Sequence, residues 1–146
     1  MRILQCLLCV MLLTFATDLY GNEAEEIRKN LPQLKGEEKL EALSRLLEIS
    51  RESDDFKSQI SCLYDHLNEA RRQRNVEQEG ADLMTRATLF YNYDQNDSLF
   101  QYVHGDLDYL AKHEQWTRFY RLWYFLANTY VYSDSLATGL KEAQMM

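Results

Sequence analysis

Proline is nearly missing from this chain, which has one, Pro32, in 146 residues. Glycine is sparse as well: the five glycines stand singly and far apart, and no alternating apolar and polar run of strand length occurs. Apolar residues recur instead at helical spacing, so the expected fold class is all-α. Cysteine is scarce. Cys6 and Cys9 fall in the first apolar run and Cys62 stands alone beyond it, so the domain after that run can form no internal disulfide. Cys62 is expected to be a small buried apolar side chain on a helix. Positive charge is outnumbered, with Lys and Arg at 16 against 23 Asp and Glu and a net charge of -7. That balance argues against nucleic acid and anionic lipid as partners, because both need a cationic surface. Past residue 21 the sequence also lacks GxxxxGK[ST], GxGxxG, HExxH and CxxC. No cofactor, metal or enzymatic activity is therefore expected.

What is present begins with Arg2, an uncharged run from Ile3 to Thr17, and a return to polarity at Asp18, Gly21, Asn22 and Glu23. A basic start, an apolar middle and a small or polar exit make a secretory signal peptide. The run is too short for the roughly 20 residues of a spanning helix, so a membrane-tethering uncleaved segment is the alternative reading. The division is a signal peptide, itself helical, over residues 1–21 and one α-helical domain over residues 22–146, exported and periplasmic.

Within that domain a short acidic helix ends at Pro32. After Gly36, Leu40, Leu43 and Leu47 share one face, while Ala42, Leu46 and Ile49 make a second. Ser53 or Asp54 is placed to cap the next helix, which sets Phe56, Ile60, Leu63, Leu67 and Ala70 in register. Further helices are expected over about 76–91, 97–113 and 115–132, and from near Asp134 onward. Short connections make successive helices antiparallel neighbours, giving about three stacked hairpins. Leu40-x2-Leu43-Ser44-x2-Leu47 matches Trp123-x2-Leu126-Ala127-x2-Tyr130, with Leu83-x2-Arg86-Ala87-x2-Phe90 between them and Arg86 as a misfit. Ser44 to Ala87 is 43 residues and Ala87 to Ala127 is 40, longer than the tetratricopeptide period and nearer that of HEAT-type hairpins.

That pattern of large apolar, small and aromatic residues resembles the first helix of tetratricopeptide repeats. The stretches LPQLKGEEKLEALSRLLEIS and LANTYVYSDSLATGLKEAQ also resemble the exported helical-repeat sensor regions of bacterial two-component histidine kinases. The resemblance implies a tetratricopeptide-like solenoid serving as the sensor or interaction part of a signal-transduction receptor; the kinase part has no counterpart here. It also implies an inner groove that binds a protein or peptide, with Arg45, Thr88, Tyr91, Arg121, Tyr124 and Asn128 facing it.

Other constellations are weaker. DQNDSLF at 94–100 starts like a calcium loop but has Leu99 where glycine is needed and Gly105 where a bidentate Glu is needed. His104 and Asp108 share a helix face at metal-pair spacing, yet two ligands make no site. His66 and His113 read as ordinary helix residues, and no Ser, His and acid can be assembled into a triad from sequence alone. Asn96-Asp97-Ser98 is formally a glycosylation acceptor.

Residues 119–133 carry seven aromatic side chains in fifteen positions. Helical projection assigns Phe119, Trp123, Leu126 and Tyr130 to the core beside Ala127, with Tyr120 and Val131 continuing that arc, and leaves Tyr124, Arg121 and Asn128 for outside contacts. Two functions compete. One is a non-enzymatic binding module, and the other a truncated remnant of a larger sensor kinase or regulator, exposing Ala137, Leu140, Ala143 and Met146 and self-associating through its last helix.

Overall fold

The computed structural model describes residues 22–52, 55–132 and 136–144, so the expected signal peptide lies outside the described residues. The described chain is all-α. Helix α1 covers residues 22–30 and leads through a 3-10 turn, Leu31–Gln33, into α2, Gly36–Glu52. Then follow α3, Phe56–Arg72; α4, Val76–Asn92; α5, Asn96–Lys112; α6, Trp116–Tyr132; and α7, Leu136–Gln144. From α2 to α6 every helix is 17 residues long. From α3 to α7 each helix begins 20 residues after the one before it.

Three-residue links set this period. Arg74, Asp94 and Glu114 each adopt positive φ, at 55°, 53° and 57°. The residue after each closes the helix behind it: the amides of Asn75, Gln95 and Gln115 donate to the carbonyls of Ala70, Phe90 and Leu110 at 2.9, 2.8 and 2.9 Å. This is the Schellman arrangement, which satisfies carbonyls that the helix end leaves free. The same three residues open the next helix, since Asn75 and Gln95 are N-caps and the Gln115 carbonyl accepts from Arg118 and Phe119. At the start of α3 the cap is Asp55, whose carboxylate accepts from the amides of Lys57 and Ser58 at 3.2 and 3.1 Å. The caps expected at Ser53 and Asp54 fall outside the described residues.

The period corrects the repeat register read from sequence. A constant spacing of forty aligns Leu47, Ala87 and Ala127, and places Ser44 with Met84 and Tyr124. Matching by small side chains selected Ser44, three residues early, whereas the first hairpin has the bulky Leu47 at that position, 6% exposed.

Helices pack on their neighbours in sequence, and α4 also meets α6. Two apolar clusters result. Ala24, Leu43, Leu46, Leu47, Cys62, Leu63 and Leu89 form one, which Ile27 and Leu31 close from the α1 side. Met84, Ala87, Phe90, Leu99, Val103, Leu107, Leu110, Leu122 and Leu126 form the other. Phe56 and Ile60 of α3 touch both and join them. Cys62 is buried, as the sequence implied.

In α6 the buried positions are Leu122, Leu126, Ala127 and Thr129. Phe119, Trp123 and Tyr130 pack against the core only in part. Tyr120 and Val131, expected along the core arc, are 48% and 40% exposed. The arc is turned toward Leu122, which shares a cluster with Met84, Ala87 and Phe90 of α4 and with Leu99, Val103, Leu107 and Leu110 of α5. Helix α7 meets α6 closely: a Cβ on Gly139 would lie 3.0 Å from the Ala127 carbonyl oxygen, 3.0 Å from Tyr130 Cβ and 3.1 Å from Val131 Cγ2.

Candidate functional site

Of the residues expected in an inner groove, the structure joins Tyr91 and Tyr124 through a third residue. The Tyr91 ring stacks on Phe125 of α6 at 5.0 Å, and Tyr124 tilts against the same ring at 6.3 Å. Tyr124 is 57% exposed, Arg121 is exposed, and Asn128 is half-buried on the same helix. Thr88, half-buried on α4, spends its hydroxyl on the Met84 carbonyl at 2.8 Å. Arg45 belongs to a different place. Its guanidinium donates to both Glu23 carboxylate oxygens, at 2.6 and 2.9 Å, and to Glu48 at 3.1 Å, fastening α1 to α2. Hydrogen bonding to Glu23 and then Glu48 raises the Arg45 pKa, and the bond from Arg45 lowers that of Glu23.

A buried polar relay crosses three helices where sequence showed only an ordinary histidine. His66 Nε2 lies 2.7 Å from Ser44 Oγ of α2, and its Nδ1 lies 2.7 Å from Asp82 Oδ2 of α4. Gln78 Nε2 donates to the other Asp82 oxygen at 3.2 Å. His66 and Asp82 are 1% and 2% exposed, while half-buried Ser44 reaches a groove of about 610 Å³ beside Glu37, Glu41 and Gln78. The order of groups is that of a nucleophile, base and orienting acid. Acyl transfer also needs donors aimed at a developing oxyanion. Ser44 sits mid-helix, where backbone amides are committed to α2, and the groove rim carries carboxylates that would repel that charge. The relay is better suited to fixing the mutual register of α2, α3 and α4. The sequence signal was there: His66 lies between Leu63, Leu67 and Ala70 on the buried stripe of α3.

The misfit Arg86 is likewise buried. It pairs with Asp106 of α5 at 2.5 Å and lies over the Tyr102 ring at 4.5 Å, with its Nε unpartnered. Burial raises the Asp106 pKa, and the hydrogen bond and charge of Arg86 oppose the rise. His104 and Asp108 are exposed on α5, and no group of three or more metal-capable side chains gathers among the described residues.

The largest departure from a closed surface is at the other end of the array. Trp116, Tyr120 and Tyr124, spaced four apart on α6, are 49%, 48% and 57% exposed. Tyr132 and Leu140 add 79% and 53%. Among the described residues no helix is long and apolar enough to cross a membrane. The chain matches no family model, no curated protein and no solved structure.

Proposed function

We propose that this chain is a non-enzymatic helical-repeat module that binds a protein or peptide, serving as the exported sensor or interaction part of a signal-transduction receptor of the two-component kind. The observation that carries the binding role is the aromatic face of α6. Soluble chains seldom leave a row of large aromatic side chains in contact with water, and such rows mark interaction sites. Tyr124 belongs to that row, and Arg121 and Asn128 lie on the same helix, which keeps half of the expected groove residues in the proposal. Export rests on the leader-like order of residues 1–21, and the receptor setting on the resemblance of the repeats to exported sensor regions.

Photo-crosslinking in cells expressing the full chain tests the reading. A photoreactive residue at position 124 is expected to give a discrete adduct in the envelope fraction, and the same residue at exposed His104 none. Adducts at neither position, nor at any other exposed helix position, from a chain that folds normally would end it.

A further inference from the structure

Two junctions of the array hold the same acid in different surroundings. Where α4 meets α6, Glu77 of α4 accepts from the Arg118 guanidinium at 2.6 Å. Gln115 lies over Gly80, donates to the Val76 carbonyl at 2.7 Å and accepts from Arg118 at 2.9 Å. A Cβ on Gly80 would collide with that amide, so the bare backbone is what lets Gln115 fill the junction. Forty residues earlier, where α2 faces α4, the acid is kept as Glu37 and its company changes. Leu40 stands in place of Gly80, the shorter Asn75 in place of Gln115, and Gln78 in place of Arg118. Asn75 caps its own helix by accepting from the Gln78 amide at 3.0 Å, and the Gln78 side chain donates to Asp82 at 3.2 Å. The junction therefore stays open as the crevice of about 610 Å³ beside Glu37, Glu41 and Ser44. Neither Glu37 nor Glu41 makes an ion pair among the described residues.

This crevice is lined mainly by acceptors. Glu37 and Glu41 stand four apart on one face of α2, where like charges repel unless a cation joins them. Ser44 is held by the buried relay. A carboxylate only accepts, so His66 Nδ1 donates to Asp82; the neutral ring then accepts from the Ser44 hydroxyl at Nε2, which leaves the Ser44 oxygen lone pairs for the crevice. Gln73 spends its amide donors on the Gly36 carbonyl and Glu69, at 2.7 and 2.9 Å. The cations nearby are engaged elsewhere: Lys39 and Arg72 with Glu69, Arg45 with Glu23 and Glu48, and Arg71 with Glu79. Exposed Arg74, in the link between α3 and α4, does not line the crevice. A cation rich in donors suits such a lining. Guanidinium suits it better than ammonium, because its planar fork can reach carboxylate and hydroxyl oxygens together. The second junction shows the fit, with the Arg118 guanidinium set against the equivalent acid, Glu77.

The helix positions that hold Arg121 and Tyr124 on α6 hold Glu41 and Ser44 on α2, so the crevice opens on the face already read for binding. Resting on the reading of the chain as a binding module, we propose that the crevice between α2 and α4 receives an arginine side chain of the partner, its guanidinium held by Glu37, Glu41 and the Ser44 oxygen. The probes are blocked Gly-Arg-Gly, Gly-Lys-Gly and Gly-citrulline-Gly peptides and free arginine, titrated into the isotope-labelled full chain and read from the amide resonances of Glu37, Glu41 and Gln78. The arginine peptide is expected to give saturable shifts there with a Kd in about the millimolar range, at least about tenfold below that of the citrulline peptide, which keeps the shape and loses the charge. The lysine peptide should bind less tightly than the arginine peptide. Glu37→Gln should weaken arginine binding at least about tenfold with the thermal midpoint unchanged. Gln78→Arg, which supplies from within the chain the cation that Arg118 supplies at the second junction, should abolish it. Lysine or citrulline peptides that bind as tightly as arginine, shifts confined to other parts of the chain, or undiminished binding by a folded Gln78→Arg chain would overturn the proposal. Free arginine binding more tightly than the blocked peptide would give the crevice to a small guanidinium compound and remove the partner side chain. Partner capture at position 124 that neither variant reduces would retain the binding module and remove this site; absence of any capture would remove the module itself.

Discussion

Glu114 shows how one residue can carry the geometry of a junction against its own preference. At φ 57° its Cβ crowds the following carbonyl, a conformation that costs non-glycine residues about 1–2 kcal/mol and glycine almost nothing. The fold imposes it because the 20-residue period requires a left-handed residue between the helix that ends and the helix that begins. Glu114→Gly is expected to stabilise the domain by about 0.5–1 kcal/mol after the added freedom of the unfolded chain is subtracted, raising the thermal midpoint by about 2–4 °C. A midpoint that falls would show that the glutamate side chain has a role beyond its backbone angle. His66 makes the complementary point. Its side chain is fully enclosed, and what defines it is the pair of partners at 2.7 Å on either ring nitrogen, one from α2 and one from α4.

Between elements, the second hairpin differs from its neighbours at one polar pair. Position 86 is equivalent to Leu46 and Leu126, both 4% exposed or less, yet it holds Arg86 against Asp106. Removing one partner strands the other in an apolar site, so Asp106→Ala is expected to cost about 3–5 kcal/mol in denaturant unfolding. Replacing both, as Arg86→Leu with Asp106→Leu, should be neutral or stabilising by about 1–4 kcal/mol, because the pair is exchanged for apolar side chains and leucine already fits the positions equivalent to 86. A double variant as damaged as the single one would mean that the Tyr102 stack, not the ion pair, sets the hairpin. Helix spacing was legible because the apolar stripes of α2 to α6 repeat with few interruptions, and nearly every helix boundary follows from them. The repeat register was not. Sequence comparison weighed small against large residues, and Leu47 occupies a position that alanine fills in the next two hairpins. The Ser44, His66 and Asp82 relay escaped for a related reason: its members sit 22 and 16 residues apart, and only packing decides which faces meet. For the candidate site, Tyr124 and Arg121 could be read as outward from helical phase, whereas the exposure of Tyr120 could not, because phase alone put it on the core arc and packing decides which edge of that arc is covered.

At the scale of the whole molecule the acidic balance sets the response to pH. Glu69 joins the ends of α2 and α3. Burial alone would raise its pKa, but hydrogen bonds from Gln73 and Arg72 and the charges of Arg72 and Lys39 outweigh that and hold it below the ordinary value. Hydrogen bonds from Arg45 and Arg118 likewise lower Glu23 and Glu77. A depressed carboxylate contributes stability that is complete above its unfolded pKa, about 4.3, and lost as pH falls through the lower folded value. Asp106 runs the other way, since burial raises it and stability declines as pH climbs through its shifted range. Three groups against one predict a thermal midpoint that drops as pH falls below about 4. Glu69→Gln should flatten that drop; an unchanged slope would remove Glu69 from the acid response.

Asn75, Gln95 and Gln115 each finish one helix and start the next, so a link has no slack residue to surrender and no room to take one. Loss or gain of one position there would rotate every later helix by about 100° and present polar side chains to the core. Length in this lineage can therefore change only in whole helices or hairpins, as steps of 20 or 40 residues. Homologues that differ in size should differ by those amounts, and the turns between their helices should be the most length-invariant part of the chain even where their residues vary freely.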